Sequence, residues 1–210
     1  MATTVAPPPE KLILTGISWE TYQRLLTEHE GRNSPRFTFD RGELEITVIT
    51  FEHEELNRLL HDLFTIIADE YGLDFVNAGS TTFRREDLSR GFEPDTCFYI
   101  ENASRVRGRK KLDLPNDPPP ELVIEVDITR SSVDKMAIYA AMGIREVWRH
   151  DGKALQIFAL LGEGYAHRGK SDVLSPLAED VASRFIEDSR SQSRSVWLGG
   201  VRDWASRHRS

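Results

Sequence analysis

The sequence predicts an α+β domain that ends in a helical C-terminal appendage. The first observation is a long helical pattern over residues 52–71, where leucine and isoleucine recur at spacings of three and four. The second is a set of short β-branched or aromatic runs between turn residues, of which 121–128 is the clearest. A length of 210 residues suits one such domain, so we expect a disordered tail over 1–10, the domain over 11–175 and the appendage over 176–210.

The composition is that of an ordinary globular protein, with 39% hydrophobic and 29% charged residues. The single cysteine, Cys97, excludes an internal disulfide framework and fits a reducing cytosol, so we expect a cytoplasmic protein. No apolar run reaches the roughly 18 residues that a membrane span needs, and no membrane partner is expected. A net charge of −7 argues against a protein that coats nucleic acid through bulk charge.

The first third of the domain is predicted to be helix, hairpin and helix. Ser18 is suited to cap a helix that runs through about His29. Residues 36–40 and 43–50 then predict a hairpin around a glycine-containing turn. The helix over 52–71 follows, and the glycine after it suits a left-handed C-terminal residue.

Short strands are predicted over 74–77, 81–84 and 96–100, followed by a polar loop over 101–120. Loops of this length in a compact domain are often functional. This loop carries a dense group of cations: Arg105, Arg107, Arg109, Lys110 and Lys111. A second group precedes it: Arg84, Arg85 and Arg90. Solvated loops are one interpretation of these groups, and a groove that holds a phosphate backbone is the other.

A helix over 132–142 is predicted after the strand 121–128, because Ser131 and Asp134 have the spacing of a capping box. Residues 145–161 then predict a second hairpin across an Asp-Gly turn. The appendage is predicted to form one or two amphipathic helices that pack on the domain or at an interface.

The strand 121–128 carries two acids on one face. Because side chains alternate across a strand, Glu125 and Asp127 project together, away from the apolar set Leu122, Ile124, Val126 and Ile128. Unpaired charge is costly in a core. A basic partner, a metal ion or a wet cleft must therefore offset the burial of this pair.

Two further residues flank this strand in the chain. Asp95 follows a proline at the mouth of the strand 96–100, and Lys135 lies in the first turn of the helix 132–142. Each alone is interpreted as an ordinary turn or surface residue. Together with Glu125 and Asp127 they form a set suited to metal-dependent phosphodiester hydrolysis, since carboxylates hold Mg²⁺ and a lysine stabilises developing negative charge.

The order of these residues also carries a family resemblance. EPD at 93–95, EVD at 125–127 and a displaced lysine resemble the PD-(D/E)XK nuclease superfamily. The longer segments 79–102 and 118–153 are similar to the Uma2 family of restriction-endonuclease-like proteins within it, over about residues 37–161. The resemblance implies a restriction-endonuclease-like core, in which helices flank a central mixed β-sheet. It also implies a DNA endonuclease that depends on Mg²⁺, with Mn²⁺ as a possible substitute.

The resemblance assigns roles to individual residues. It makes Asp95 the motif aspartate and Glu125 the acid of the (D/E)XK motif, and both would be metal ligands. Asp127 stands in the lysine position, where it either adds a metal ligand or weakens catalysis. Lys135 would then reach back from its helix to act as the catalytic lysine.

Members of the superfamily often add an acid from the helix that precedes these strands. Glu52, Glu54 and Glu55 compete for this role. A helical projection turns Glu52 and His53 toward the apolar face, whereas the family pattern favours His53 and Glu54. We assign Glu54 as the catalytic acid of the helix and interpret His53 as a packed histidine.

DNA is the predicted partner, and a homodimer is expected because two-fold assemblies match a duplex. Six cations are predicted to bind the nucleic acid: Arg84, Arg85, Arg107, Arg109, Lys110 and Lys111. Two alternatives stay open at the level of sequence. One is a catalytically impaired nucleic-acid-binding homologue of the same fold. The other is a protein-interaction module in which the carboxylates pair with Arg84, Arg85 or Lys135.

Overall fold

The computed structural model describes residues 11–32, 34–114, 116–128 and 133–209. Within them it contains eleven strands and six helices, which confirms the predicted α+β class. The strands are β1 (Lys11–Leu14), β2 (Arg36–Asp40), β3 (Glu43–Thr47), β4 (Val76–Asn77), β5 (Phe83–Arg85), β6 (Arg90–Phe92), β7 (Thr96–Tyr99), β8 (Leu122–Val126), β9 (Glu146–His150), β10 (Leu155–Leu161) and β11 (Gly164–His167). The helices are α1 (Trp19–Glu28), α2 (Phe51–Tyr71), α3 (Ala103–Val106), α4 (Lys135–Met142), α5 (Glu179–Ser189) and α6 (Arg194–His208). The predicted tail over 1–10 lies outside the described residues.

Local capping explains where the helices begin and end. The Ser18 side chain accepts a hydrogen bond from the backbone N–H of Thr21 and starts α1 as predicted. Gly72, with φ of 69°, ends α2 in the left-handed conformation. The start of α4 differs from the prediction, because Asp134 is itself the N-cap and accepts from the backbone N–H of Ala137. Ser131, the other member of the predicted capping box, lies outside the described residues.

The central sheet has six strands in the order β11-β10-β9-β8-β7-β4. Strands β8 and β9 are parallel and the other pairs are antiparallel, so the predicted mixed sheet is confirmed. The β8–β9 pair is parallel because α4 forms the crossover between them. Helices α2, α5 and α6 cover one face of this sheet, where the aromatic rings of Phe64 and Phe98 stack at 3.9 Å between centroids. Helix α4 lies toward the other face, with Ile138 and Tyr139 in its core.

A second sheet of five antiparallel strands, in the order β1-β3-β2-β6-β5, was not predicted. Its β2–β3 hairpin was predicted, and the strand predicted over 81–84 overlaps β5. Strands β1 and β6 were not predicted, because they have only four and three residues and show too little periodicity. Helix α1 packs on its outer face, where the rings of Tyr22 and Phe39 stack at 4.9 Å. Gly91 of β6 is required there, because a Cβ atom would overlap the ring of Tyr22.

The inner face of the five-stranded sheet is polar. Phe37 and Phe39 of β2 pack in the core beneath α1, so their neighbours along the strand project the other way. Arg36, Thr38 and Glu45 of this inner face are all buried. Buried polar side chains require partners, and Arg36 finds its partner, Asp95, at the end of the central sheet.

The appendage shares the core of the domain. Ala182 and Ile186 of α5 and Val201 of α6 belong to the same cluster as α2. The indole N–H of Trp197 donates to the carbonyl of Phe185 at 2.7 Å, which ties α6 to α5. No helix among the described residues combines the length and hydropathy that crossing a bilayer requires.

Candidate functional site

Asp95 and Glu125 are buried beside each other at the end of the central sheet. The antiparallel register pairs Thr96 with Ile124, which places Asp95 opposite Glu125. The backbone N–H of Val126 donates to Asp95 Oδ2 at 2.7 Å, and this bond holds the aspartate against β8. The two acids are only 5% and 4% exposed, so their charges require local compensation.

Arg36 and His53 both contact the carboxylate of Asp95, and Arg36 supplies the opposite charge. The guanidinium of Arg36, from β2, donates to Asp95 Oδ1. His53 Nε2, from α2, lies 3.0 Å from Oδ2. Burial, followed by the nearby charge of Arg36, lowers the pKa of His53 to about 4, so the imidazole is neutral at pH 7. Arg36 Nε and His53 Nδ1 are buried and have no hydrogen-bond partner among the described residues.

Glu125 is held by two residues of α4. Tyr139 donates its hydroxyl to Oε1 at 2.6 Å and Lys135 donates its ammonium to Oε2 at 2.8 Å. Burial lowers the pKa of Lys135, but the attraction of Glu125 outweighs burial and the net shift is upward. Burial and the charge of Glu125 raise the pKa of Tyr139 well above its usual value. At neutral pH the glutamate therefore faces a charged lysine and a neutral phenol.

Tyr139 was missed by sequence analysis, although a signal for it exists. It lies four residues after Lys135, so both side chains leave the same face of α4. Glu45 of β3 was also missed. It is fully buried, accepts a hydrogen bond from the Thr47 hydroxyl at 3.3 Å, and its charge adds to the raised pKa of Lys135. Its alternation with Leu44 and the following isoleucine is the signal that could have found it.

Asp127 lies on the same side of the chain as Glu125, as the alternation predicts. Both line a cavity of about 240 Å³ together with Lys135 and Arg149. Each carboxylate oxygen of Asp127 forms an ion pair with a cation. Lys11 Nζ lies 2.8 Å from Oδ1, and Arg149 Nη2 lies 2.6 Å from Oδ2. Burial raises the pKa of Asp127, but these two cations outweigh it and the net shift is downward. Asp127 thus connects β1 of the outer sheet to β9 of the central sheet.

The structure places His53, and not Glu54, against Asp95. Glu54 forms an ion pair with Arg58 one turn along α2, at 2.7 Å, and its side chain is 37% exposed. The helical projection, which turned His53 toward the apolar face, is the signal that identified the contacting residue. His53 is also packed, as expected, with only 11% of its side chain exposed.

The six cations predicted to bind nucleic acid fall into two groups. Three form ion pairs: Arg85 with Asp87, Arg107 with Asp74 and Arg109 with Asp117. The other three, Arg84, Lys110 and Lys111, are exposed and form no ion pair with the described residues. The structure therefore leaves half of the predicted set free to meet an external anion.

A divalent cation fits Asp95 and Glu125 by the chemistry of their oxygens. Mg²⁺ prefers oxygen ligands, often uses only one or two carboxylates and keeps several water molecules. Among the described residues no three His, Cys, Asp or Glu side chains cluster as a ready metal site. All four carboxylate oxygens already accept protein hydrogen bonds, so an ion would compete with Arg36, His53 and the donors of α4.

Comparisons with known proteins agree with this fold. The model of the Uma2 family, described as "Putative restriction endonuclease", matches residues 19–182. The fold is similar to the crystal structure of "a putative nuclease belonging to DUF820" from Anabaena variabilis, with 14% identity, a TM-score of 0.51 and coverage of 90% of this chain and 99% of that chain. No curated protein matches the sequence. Because the family model spans most of the chain, including Asp95, Glu125 and Lys135, the chain belongs to the Uma2 family.

Proposed function

We propose that the protein is an Mg²⁺-dependent DNA endonuclease that hydrolyses phosphodiester bonds. The observation that carries the proposal is the burial of Asp95 opposite Glu125, with Lys135 hydrogen-bonded to Glu125. Paired, buried charges of this kind cost stability and are concentrated at functional sites. Membership of the Uma2 family supports a nuclease. A homodimer that acts on both strands of a duplex stays a prediction.

The residues of the site would have different roles in the reaction. Asp95 and Glu125 would hold Mg²⁺, or Mn²⁺ in its place. When bound, the ion lowers the pKa of a coordinated water and offsets charge on the scissile phosphate. Lys135 keeps its proton at neutral pH and stabilises developing negative charge beside Glu125. Tyr139 orients the Glu125 carboxylate through its 2.6 Å hydrogen bond.

Removal of divalent metal is expected to stop DNA cleavage. Purified protein should nick and linearise supercoiled plasmid in Mg²⁺ or Mn²⁺ and leave it intact in EDTA, because the ion supplies the activated water. Gel electrophoresis of a time course measures this directly. An Asp95→Asn protein is the matched inactive variant. Intact plasmid under every metal condition, or equal cleavage by Asp95→Asn, would contradict the proposal.

We propose that Asp127 is an ionic connection between the sheets and not a metal ligand. Asp127→Asn should weaken its pairs with Lys11 and Arg149 and lower the free energy of unfolding by about 1–3 kcal/mol. The lower part of that range is favoured because the side chain of Arg149 is 39% exposed. Urea unfolding measures the loss, and calorimetry with Mn²⁺ should show affinity within about 3-fold of the unchanged protein. Loss of Mn²⁺ binding by a folded variant would instead make Asp127 a ligand.

A second function has one observation in its favour. Every oxygen of Asp95 and Glu125 is already compensated by a protein donor, so the charges are balanced without a metal. A catalytically impaired DNA-binding homologue would have this arrangement. Salt-dependent DNA binding without cleavage in Mg²⁺ or Mn²⁺ would favour it over the nuclease.

A further inference from the structure

A basic groove lies on the outer side of the five-stranded sheet. It has a volume of about 530 Å³ and is formed by the end of α1, strand β5 and the loop at 110–112. Four exposed cations line it: Arg32, Arg84, Lys110 and Lys111. They come from three segments that are far apart in the chain, so only folding brings them together.

These four cations differ from the neighbouring arginines in their ion pairing. Among the described residues none of them forms an ion pair, whereas the nearby Arg85, Arg107 and Arg109 each do. The chain has 34 acidic and 27 basic residues, yet within the described part of the chain no acid forms an ion pair with these four cations. The groove therefore keeps a net positive charge on an acidic protein.

The two acids that line the groove offset only part of this charge. Glu93 is engaged at both oxygens, which accept from the backbone N–H of Phe37 at 2.9 Å and from the hydroxyl of Thr82 at 2.6 Å. Glu30 is the other carboxylate of the lining. Two acids face four cations, and the occupant that complements such a groove is a polyanion.

The groove is longer than a single phosphate requires. A neighbouring cavity of about 260 Å³ shares Thr81, Lys110, Lys111 and Leu112 with it and continues to Arg109. The basic side chains of the combined track are Lys110 and Lys111 in both cavities, Arg109 in the neighbouring cavity, and Arg32 and Arg84 in the groove. A chain of phosphates fits this track better than one small anion.

The groove is separate from the candidate active site. Phe37 and Glu93 line the groove. Arg36, which precedes Phe37, and Asp95, two residues after Glu93, instead form an ion pair on the inner side of β2. None of the four groove cations lines the cavity that contains Glu125. Contacts in the groove would therefore supply affinity and position, and not chemistry.

We propose that this groove holds the phosphate backbone of DNA at a distance from the scissile bond. The choice of DNA as the polyanion rests on the proposed function. Each phosphate that the groove neutralises releases counterions, so the groove should contribute to the salt dependence of binding in proportion to its cations.

The test compares two triple variants that remove the same charge. The groove variant is Arg84→Gln, Lys110→Gln and Lys111→Gln. The control replaces three exposed arginines of the appendage: Arg190→Gln, Arg194→Gln and Arg202→Gln. All six side chains are exposed, so both proteins are expected to fold, and circular dichroism verifies it.

Fluorescence anisotropy with a labelled duplex in EDTA, at several salt concentrations, measures affinity without cleavage. The groove variant should bind at least about 10-fold more weakly and lower the slope of log K against log salt by about 2–3, at about 0.9 per lost phosphate contact. The affinity of the control variant should stay within about 3-fold of the wild-type value.

Equal weakening of both variants would indicate an effect of bulk charge, and unchanged binding of the groove variant would also overturn the proposal. A wild-type protein that binds through the groove but never cleaves plasmid would support the groove and contradict the nuclease.

Discussion

Glu125→Gln is expected to lower metal-dependent DNA cleavage by about 10²–10³-fold or more, the range seen when one charge-stabilising group is removed from an active site. Glutamine keeps the shape of the side chain and one oxygen to accept from Tyr139 or Lys135, but it loses the negative charge that a hard cation needs. Lys135 is 20% exposed, so water can solvate its ammonium once the ion pair is gone. The loss should therefore fall on activity more than on folding.

Two measurements separate these effects for Glu125→Gln. Single-turnover cleavage of plasmid in Mg²⁺ reports the rate, and calorimetry with Mn²⁺ reports whether the ion still binds. Glu163→Gln, in the exposed turn between β10 and β11, is the matched control because it removes one carboxylate that does not line the cavity containing Glu125. Cleavage by Glu125→Gln at the rate of this control would remove Glu125 from the site and contradict its role as a ligand.

Glu146→Gln is expected to cause the largest loss of stability, about 3 kcal/mol or more. Glu146 is 1% exposed at the start of β9, and its two oxygens accept four hydrogen bonds. Oε1 accepts from the Trp148 indole and the Ser171 hydroxyl, both at 2.6 Å, and Oε2 accepts from the backbone N–H groups of Asp172 and Val173. An amide NH₂ in place of either oxygen would face donors, and each unsatisfied buried group costs about 1–3 kcal/mol.

The loss should appear as a lower midpoint of urea unfolding with an unchanged slope, since the surface exposed on unfolding is the same. Glu163→Gln again serves as the control and is expected to change the free energy of unfolding by less than about 0.5 kcal/mol. A midpoint for Glu146→Gln equal to that of the control would show that segment 171–174 does not depend on this carboxylate. DNA binding in EDTA should persist while the variant is folded.

The elements that sequence analysis predicted well are those with local causes. The helix from Ser18 to His29 and the helix that ends at Gly72 begin and end where a capping side chain or a glycine dictates. The strands that sequence analysis missed have three or four residues and are stabilised by pairing with neighbouring strands, as β1 is by β3. Their hydrogen bonds join residues distant in the chain, which a local pattern does not contain.

The candidate site also contains residues that local patterns predict and residues that only distant contacts bring in. Asp95, Glu125 and Lys135 were predicted from the order of their motifs along the chain, and strand alternation placed Glu125 and Asp127 on one side of β8. Arg36 lies 59 residues from Asp95 in the chain, and no local pattern links the two. One partner of Asp127, Lys11, is even more distant, since it precedes Asp127 by 116 residues.

The sequence by itself predicted which acids and which lysine form the candidate site, and it determined that Glu125 and Asp127 project to the same side of their strand. Only the tertiary structure decided which cations neutralise them. It also decided that Arg84, Lys110 and Lys111 lie in one groove without an ion pair to any described residue, whereas three neighbouring arginines are paired. The physical reason is that side-chain type and alternation are local properties, whereas burial and the choice of an electrostatic partner depend on the packing of two sheets.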